Sequence, residues 1–178
     1  MDAQAHWERI FTQKAHDEVC WYRPHLETSL AFIEQAAPGR SASIIDVGAG
    51  ESTLVDDLLA RGYTNLTALD ISQTAMDASR KRLGDAARLV RWLVADITRV
   101  ELEAATFDVW HDRAVFHFLT SASDRAAYVR QVARAVKRGG HVIVSAFGPE
   151  GPRRNAAVLR WFATTPSRCT QSLGCAFV

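Results

Sequence analysis

Apolar and polar residues follow two rhythms along this chain. Short apolar runs that end in an acid alternate with longer stretches in which apolar residues recur every three or four positions. These are the marks of buried strands and amphipathic helices. Trp7, Ile10 and Phe11 stand among charges over residues 3–18, which predicts a short amphipathic helix. Cys20-Trp21-Tyr22-Arg23-Pro24 breaks it, and Pro24 suits the first turn of a second helix with Leu26, Leu30 and Ile33 on one face. Pro38-Gly39-Arg40-Ser41 reads as a loop.

The next hundred residues alternate strand and helix. A first strand at about 43–48 leads to a helix at about 52–61, closed by Gly62. Leu66 to Asp70 is a second strand; Ser72 caps a helix that runs to Arg82 and stops at Gly84. Leu89 to Ala95 is a third strand, and Phe107 starts a fourth. Ser123 is the expected cap of a helix with Lys137-Arg138 in its last turn and Gly139-Gly140 at its end. His141 to Phe147 is a fifth strand. The alternation predicts an α/β fold built on a doubly wound, mainly parallel sheet. Residues 1–40 form N-terminal helices or a lid, 41–150 a ligand-binding core, and 151–178 an atypical tail.

Composition narrows the class. With 48% hydrophobic and 23% charged residues, the 178-residue chain reads as one ordinary globular domain. A net charge of +1 gives no electrostatic case for nucleic acid or an acidic membrane, so neither is an expected partner. No apolar run reaches membrane-spanning length, and MDAQAHWERIF lacks a signal-peptide pattern. Cys20, Cys169 and Cys175 are odd in number and contain no C-x-x-C pair. A disulfide framework and a zinc site are not expected, and a cytoplasmic location is.

The candidate chemistry gathers at strand ends. In a parallel sheet, ligands bind beyond the carboxyl ends of the strands. Asp46 and the turn Gly48-Ala49-Gly50-Glu51-Ser52 follow the first strand. Glycine there admits positive φ and a close backbone approach. Asp70 ends the second strand, 20 residues after Gly50, the spacing at which an acid meets a ribose hydroxyl. Asp96 ends the third strand, and His111, Asp112 and Arg113 end the fourth. Each residue also has a plain structural reading. The glycines could form only a tight turn, Asp70 and Asp96 could cap turns, and His111 and His117 could be satisfied core histidines. Trp110, Phe116 and Phe118 read as core. Trp7, Trp21 and Tyr22 read either as packing or as a lid. No metal-binding spacing such as H-E-x-x-H is present.

These stretches together resemble the class I S-adenosylmethionine-dependent methyltransferases over roughly residues 6–150. Asp46-x-Gly48-x-Gly50-x-Ser52 is similar to their first motif, with serine where a third glycine is common. Leu69-Asp70-Ile71-Ser72 and Ala95-Asp96-Ile97 resemble the ribose and adenine motifs. Trp110-His111-Asp112-Arg113-Ala114 with His117-Phe118-Leu119 resembles the W-H-D-R-A-x-x-H-F-L motif of a bacterial subgroup. Lys137-Arg138-Gly139-Gly140 resembles a K-P-G-G turn, with arginine for proline.

The resemblance implies S-adenosyl-L-methionine as cofactor and a small-molecule or protein methyl acceptor. Asp46, Gly48, Gly50 and Ser52 would hold its amino acid end and Asp70 its ribose. Asp96 would meet the adenine amino group, Ile71 and Ile97 would sandwich the ring, and His111 would belong to the same site. His111 or Asp112 would take a proton from the acceptor, Arg113 would orient an anionic one, and Trp21, Tyr22 and His117 would form the acceptor site or lid. Two alternatives stay open. Gly48-Ala49-Gly50-Glu51-Ser52-Thr53 approximates the G-x-G-x-x-G of NAD-dependent oxidoreductases without its last small residue. A cofactor-binding module with impaired catalysis is the other.

That module reading comes from the tail. Arg153 to Val178 has no acidic residue and no clear strand alternation. The strand pair that completes the resembled fold is therefore expected to be missing or aberrant. With plausible codons chosen from Arg153 onward, a shifted frame gives TQCSGLAVVRYDAESLHAEFGVRVR, an acidic amphipathic stretch and then a strand start. The tail is thus expected to be frameshifted or disordered.

Overall fold

Ile44 and Ile45 are adjacent in the chain and end in different hydrophobic cores. Strand geometry makes the split, since successive side chains point to opposite faces. The computed structural model describes residues 2–13, 22–113, 115–147 and 156–162. Their elements are α1 (Ala3–Gln13), α2 (Glu27–Ala36), β1 (Ser43–Val47), α3 (Leu54–Ala60), β2 (Asn65–Asp70), α4 (Gln73–Leu83), β3 (Val90–Val94), β4 (Phe107–Arg113), α5 (Ala122–Ala135), β5 (Val136–Phe147) and β6 (Ala156–Phe162). Short 3₁₀ turns lie at Gly84–Leu89 and Phe116–Phe118.

The strands form one sheet in the order β3-β2-β1-β4-β5-β6. The first five are parallel, and β6 runs antiparallel to β5. One face carries Ile44, Leu66, Ala68, Val109 and Ile143 against Leu30 and Ile33 of α2, Leu54 and Leu58 of α3 and Met76 of α4. The other carries Ile45, Val47, Leu69, Trp110 and Val142 against Tyr128, Val132 and Ala135 of α5. With helices on both faces the sheet is doubly wound, as the alternation predicts. The winding runs outward from β1 to β3, then returns to β4 on the other side of β1. That reversal opens a crevice beyond the ends of β1 and β4. Among the described residues, no helix is long and apolar enough to cross a membrane.

Four local expectations are corrected. Ser121, not Ser123, caps α5, its hydroxyl accepting from the Asp124 N–H at 3.0 Å. That helix ends at Ala135, and residues 136–140 extend β5 instead of finishing the helix. Val136 pairs with Phe107, and the register then shifts before Val109 pairs with His141. Gly139 at φ 81° lies inside this irregular stretch. Pro24 sits ahead of α2, which starts at Glu27; its carbonyl instead accepts from the Thr53 hydroxyl at 2.8 Å. In the tail, Ala156 to Phe162 forms β6 along the edge of β5, where no strand was expected. Six of these seven residues are apolar, and the open backbone of β5 supplies their partners. Residues 14–18 of the expected first helix, and Trp21, lie outside the described residues.

Candidate active site

The turn after β1 is shaped by backbone geometry. Gly48 and Gly50 have φ of 73° and 49°, and the Gly48 and Ala49 N–H groups both donate to the Leu69 carbonyl, at 2.7 and 3.0 Å. A Cβ on Gly48 would collide with the Val115 side chain. Ser52 accepts from the Leu54 N–H at 3.1 Å, a local turn bond just ahead of α3. The turn is held to β2 by Asp70. One oxygen of that carboxylate accepts from Gly50 N–H at 2.9 Å, the other from Ser72 N–H at 2.8 Å. Ser72 in turn caps α4 by accepting from Ala75 N–H.

This frame surrounds a cavity of about 720 Å³. Asp46, Gly48, Gly50, Ser52, Asp70, Ile71, Asp96, Ile97, His111, Arg113 and Tyr22 all contribute to its wall, so most residues expected from the sequence meet in one place. The wall also includes Trp7 and Phe11 of α1, Arg23, Val115 and Phe118. Asp96 accepts from both the N–H and the hydroxyl of Thr98, at 2.8 and 2.7 Å, and thereby shapes the turn after β3.

Electrostatics separate the acids. Burial pushes the Asp70 carboxyl up to about 6; the Ser72 and Gly50 N–H groups pull it down, and the neighbouring Asp46 pushes it up again. Burial also lowers the Arg113 guanidinium, as does Arg23 nearby, while Asp46 opposes them.

His111 and Asp112 part company because adjacent strand residues face opposite sides. His111 is fully buried on the α2 side, with Nδ1 at 2.7 Å from Asp46 Oδ1 and Nε2 at 2.9 Å from Ser29 Oγ. Both ring nitrogens are engaged inside the protein, so the ring does not fit the expected base. Asp112 points into the other core, away from the cavity wall. It accepts from the Tyr128 hydroxyl at 2.6 Å and from the Val115 and Phe116 N–H groups at 2.8 and 3.1 Å. Its carboxyl, raised by burial to about 6, holds the turn after β4 instead of meeting an acceptor. His117 is absent from the cavity wall, and Phe118, expected in the core, is 45% exposed and packs edge-on against Trp7 at 4.8 Å.

Two contributors had no signal in the sequence. Glu8 of α1 reaches across to α4, accepting from Gln73 N–H at 2.5 Å, the Ser72 hydroxyl at 3.1 Å and Thr74 N–H at 3.3 Å. Burial works against its charge, yet the hydrogen bonds prevail and hold its carboxyl below the usual range. Ser29 is the other, 82 residues from its partner His111.

The donor set has a definite polarity. Asp46 Oδ2 is buried without a hydrogen-bond partner among the described residues. A buried carboxylate oxygen in that position favours a cationic donor and repels a pyrophosphate.

A family model described as a methyltransferase domain matches residues 45–144. The chain is 26% identical over 138 residues to the mouse eEF1A lysine and N-terminal methyltransferase, covering 78% of this chain and 19% of that protein. It is 29% identical over 150 residues to a ubiquinone biosynthesis O-methyltransferase of Ralstonia nicotianae, covering 76% and 58%. A solved Haemonchus contortus phosphoethanolamine N-methyltransferase 1, in complex with phosphoethanolamine and S-adenosylhomocysteine, superposes with a TM-score of 0.64 at 13% identity, covering 80% of this chain and 31% of that one. The chain thus spans about a fifth of the length of the mouse relative.

Proposed function

We propose that this chain, which belongs to the class I S-adenosylmethionine-dependent methyltransferase family, transfers the methyl group of S-adenosyl-L-methionine to a small-molecule or protein acceptor. The observation that carries the reading is the buried Asp46 oxygen, without a partner among the described residues, on a residue that lines the same cavity as Asp70 and the Gly48-x-Gly50 turn. An ammonium satisfies that oxygen, and Asp70 can accept from ribose hydroxyls. Asp96 and Ile97 stand at the end of β3 for the adenine, with Ile71 beside them. Arg113 and Tyr22 line the same cavity and serve the acceptor side. The names of the relatives support both acceptor classes, since one methylates protein lysine and N-termini and another is an O-methyltransferase of ubiquinone biosynthesis. The cysteine usage supports a cytoplasmic location.

The fit is chemical. Gly50 has no side chain of its own, and a Cβ there would press on the Phe11 ring at 3.3 Å, so glycine keeps the turn close to Asp70. The cofactor, when bound, supplies a methyl group on a sulfonium, already electrophilic. The protein's work is then to hold the amino and ribose groups, to exclude water with α1, and to align the acceptor. Calorimetric titration of the purified chain tests this. Saturable binding of S-adenosylmethionine, lost in Asp70→Ala and not reproduced by NAD, is expected. A folded chain that binds NAD, or neither ligand, would sink the reading.

A second reading is favoured by the residues from Arg153 onward. They carry no acid, and with suitably chosen codons a shifted frame through them would spell an acidic amphipathic stretch. On this reading the chain binds cofactor with impaired turnover, because every cofactor-side residue precedes residue 120. Sequencing the gene decides it: a one-base shift near codon 153 is expected, and a DNA sequence with no such alternative frame removes the idea.

A further inference from the structure

Ser29, His111 and Asp46 form a continuous hydrogen-bonded line. Their distances match those of a nucleophile, base and orienting acid. Burial excludes that use. His111 is 0% exposed, Ser29 is 8% exposed on α2, and Ser29 is not part of the cavity wall. No substrate reaches the hydroxyl, so the line has another task.

The direction of its hydrogen bonds follows from chemistry. A carboxylate only accepts, so His111 Nδ1 carries the proton that bonds Asp46 Oδ1. In the neutral ring, Nε2 then accepts, and the Ser29 hydroxyl donates to it. Ser29 thereby selects the tautomer that can donate to Asp46. With Oδ1 fixed in this way the carboxylate cannot turn, and Oδ2 is held buried, without a partner among the described residues, on a residue that lines the cavity.

We propose that Ser29 and His111 are positioning residues that aim the second oxygen of Asp46 at the α-ammonium of the bound cofactor and so make the site selective for a ligand bearing an amino acid arm. This rests on the methyltransferase reading of the same cavity. Ser29 lies outside the cavity wall, and His111, though part of that wall, has both ring nitrogens engaged, so each acts through Asp46. The arrangement explains why a serine on α2 and a histidine on β4, remote in sequence, are buried together as polar groups at the rim of an apolar core.

The test compares two ligands that share a nucleoside. S-adenosylmethionine carries the amino acid arm, and 5′-methylthioadenosine lacks it. Dissociation constants are measured by calorimetry for the wild type, Asp46→Asn, Ser29→Ala, His111→Leu and His111→Asn. Losing a hydrogen bond to a charged group is expected to weaken S-adenosylmethionine by roughly 10–100-fold in His111→Leu. In Ser29→Ala the expected loss is about 3–10-fold, as for a neutral bond. Methylthioadenosine should change by less than about twofold in both, since its contacts lie elsewhere. His111→Asn keeps a donor near the position of Nδ1 and should recover much of the preference. Ser29→Ala removes one oxygen only, which keeps the test available if His111→Leu fails to fold.

Equal losses for the two ligands would overturn the proposal in favour of general structural support. So would an unchanged ratio of affinities in Ser29→Ala and His111→Leu when Asp46→Asn abolishes it. A folded wild type that binds neither ligand would instead bring down the methyltransferase reading, and the positioning role with it.

Discussion

Asp70 holds a proton more tightly in the folded chain than in the unfolded one. Its folded value of about 6 lies above the ordinary 3.8, so between pH 4 and 6 the folded state binds the extra proton. Stability from this residue therefore falls as pH rises through that window, by about 3 kcal/mol, and is flat above it. Urea unfolding of wild type and Asp70→Ala across pH 4–7 should show the slope in the first and its reduction in the second. A cationic ligand favours the ionised form, so cofactor binding near pH 6 should release a proton. That release appears as a buffer-dependent binding enthalpy. Tyr128 offers a second check: it donates to Asp112 at 2.6 Å and accepts from Trp110 Nε1 at 2.9 Å. Tyr128→Phe strands both partners in the core and should cost about 1–3 kcal/mol in urea unfolding. Asp46, Gly48, Gly50 and Asp70 were legible because residue type and spacing announce a turn and an acid at strand ends. Asp112 was misread from a fact equally visible in the sequence: next to His111 on a strand, it must face the other way. Ser29 was illegible, since nothing local marks a core serine whose partner lies on another element.

Elements were legible where a cap or a run marks them. Ser72 before α4 and the apolar runs of β1 and β2 needed no tertiary information. Boundaries failed where pairing overrode pattern. Residues 136–140 follow a helix rhythm, yet Val136 is drawn into the ladder by Phe107, and Lys137 Nζ meets Asp108 at 2.8 Å. Similarly, two serines compete to cap α5, and Ser121 wins by reaching the Asp124 N–H. The turn between β1 and α3 tolerates little change at Gly48. Gly48→Ala places a Cβ on a left-handed residue and against Val115, so it should cost about 1–3 kcal/mol and lower cofactor affinity with it. A chemical melt and a titration of the same sample check both effects. Ser72→Ala should cost about 1 kcal/mol in the same melt, as lost caps do, while Asp70 keeps its bond from the backbone N–H of residue 72.

At the scale of the molecule, the doubly wound parallel sheet was legible as a class from the alternation, whereas the order β3-β2-β1-β4-β5 comes from the structure. The place of the site followed from it. What the tail does along β5 was not legible, since β6 depends on an edge that only the folded sheet presents. Ligand binding at the crevice ties both cores together, so a saturating cofactor should raise the melting temperature. At a hundred times its dissociation constant the gain is about 2.7 kcal/mol, roughly 5–10 °C for a chain of this size. NAD at the same concentration should leave the melt unchanged. One feature reaches beyond equilibrium. Helix α1 buries no residue of its own, and it is fastened to α4 through the Glu8 carboxylate and to the turn after β4 through Trp7 on Phe118. Such a helix detaches more cheaply than the sheet beneath it unfolds. A ligand lodged under Trp7 and Phe11 then departs on the clock of that detachment. Amide exchange along Ala3–Gln13 and cofactor dissociation should report a single rate constant, and Glu8→Gln should quicken both together.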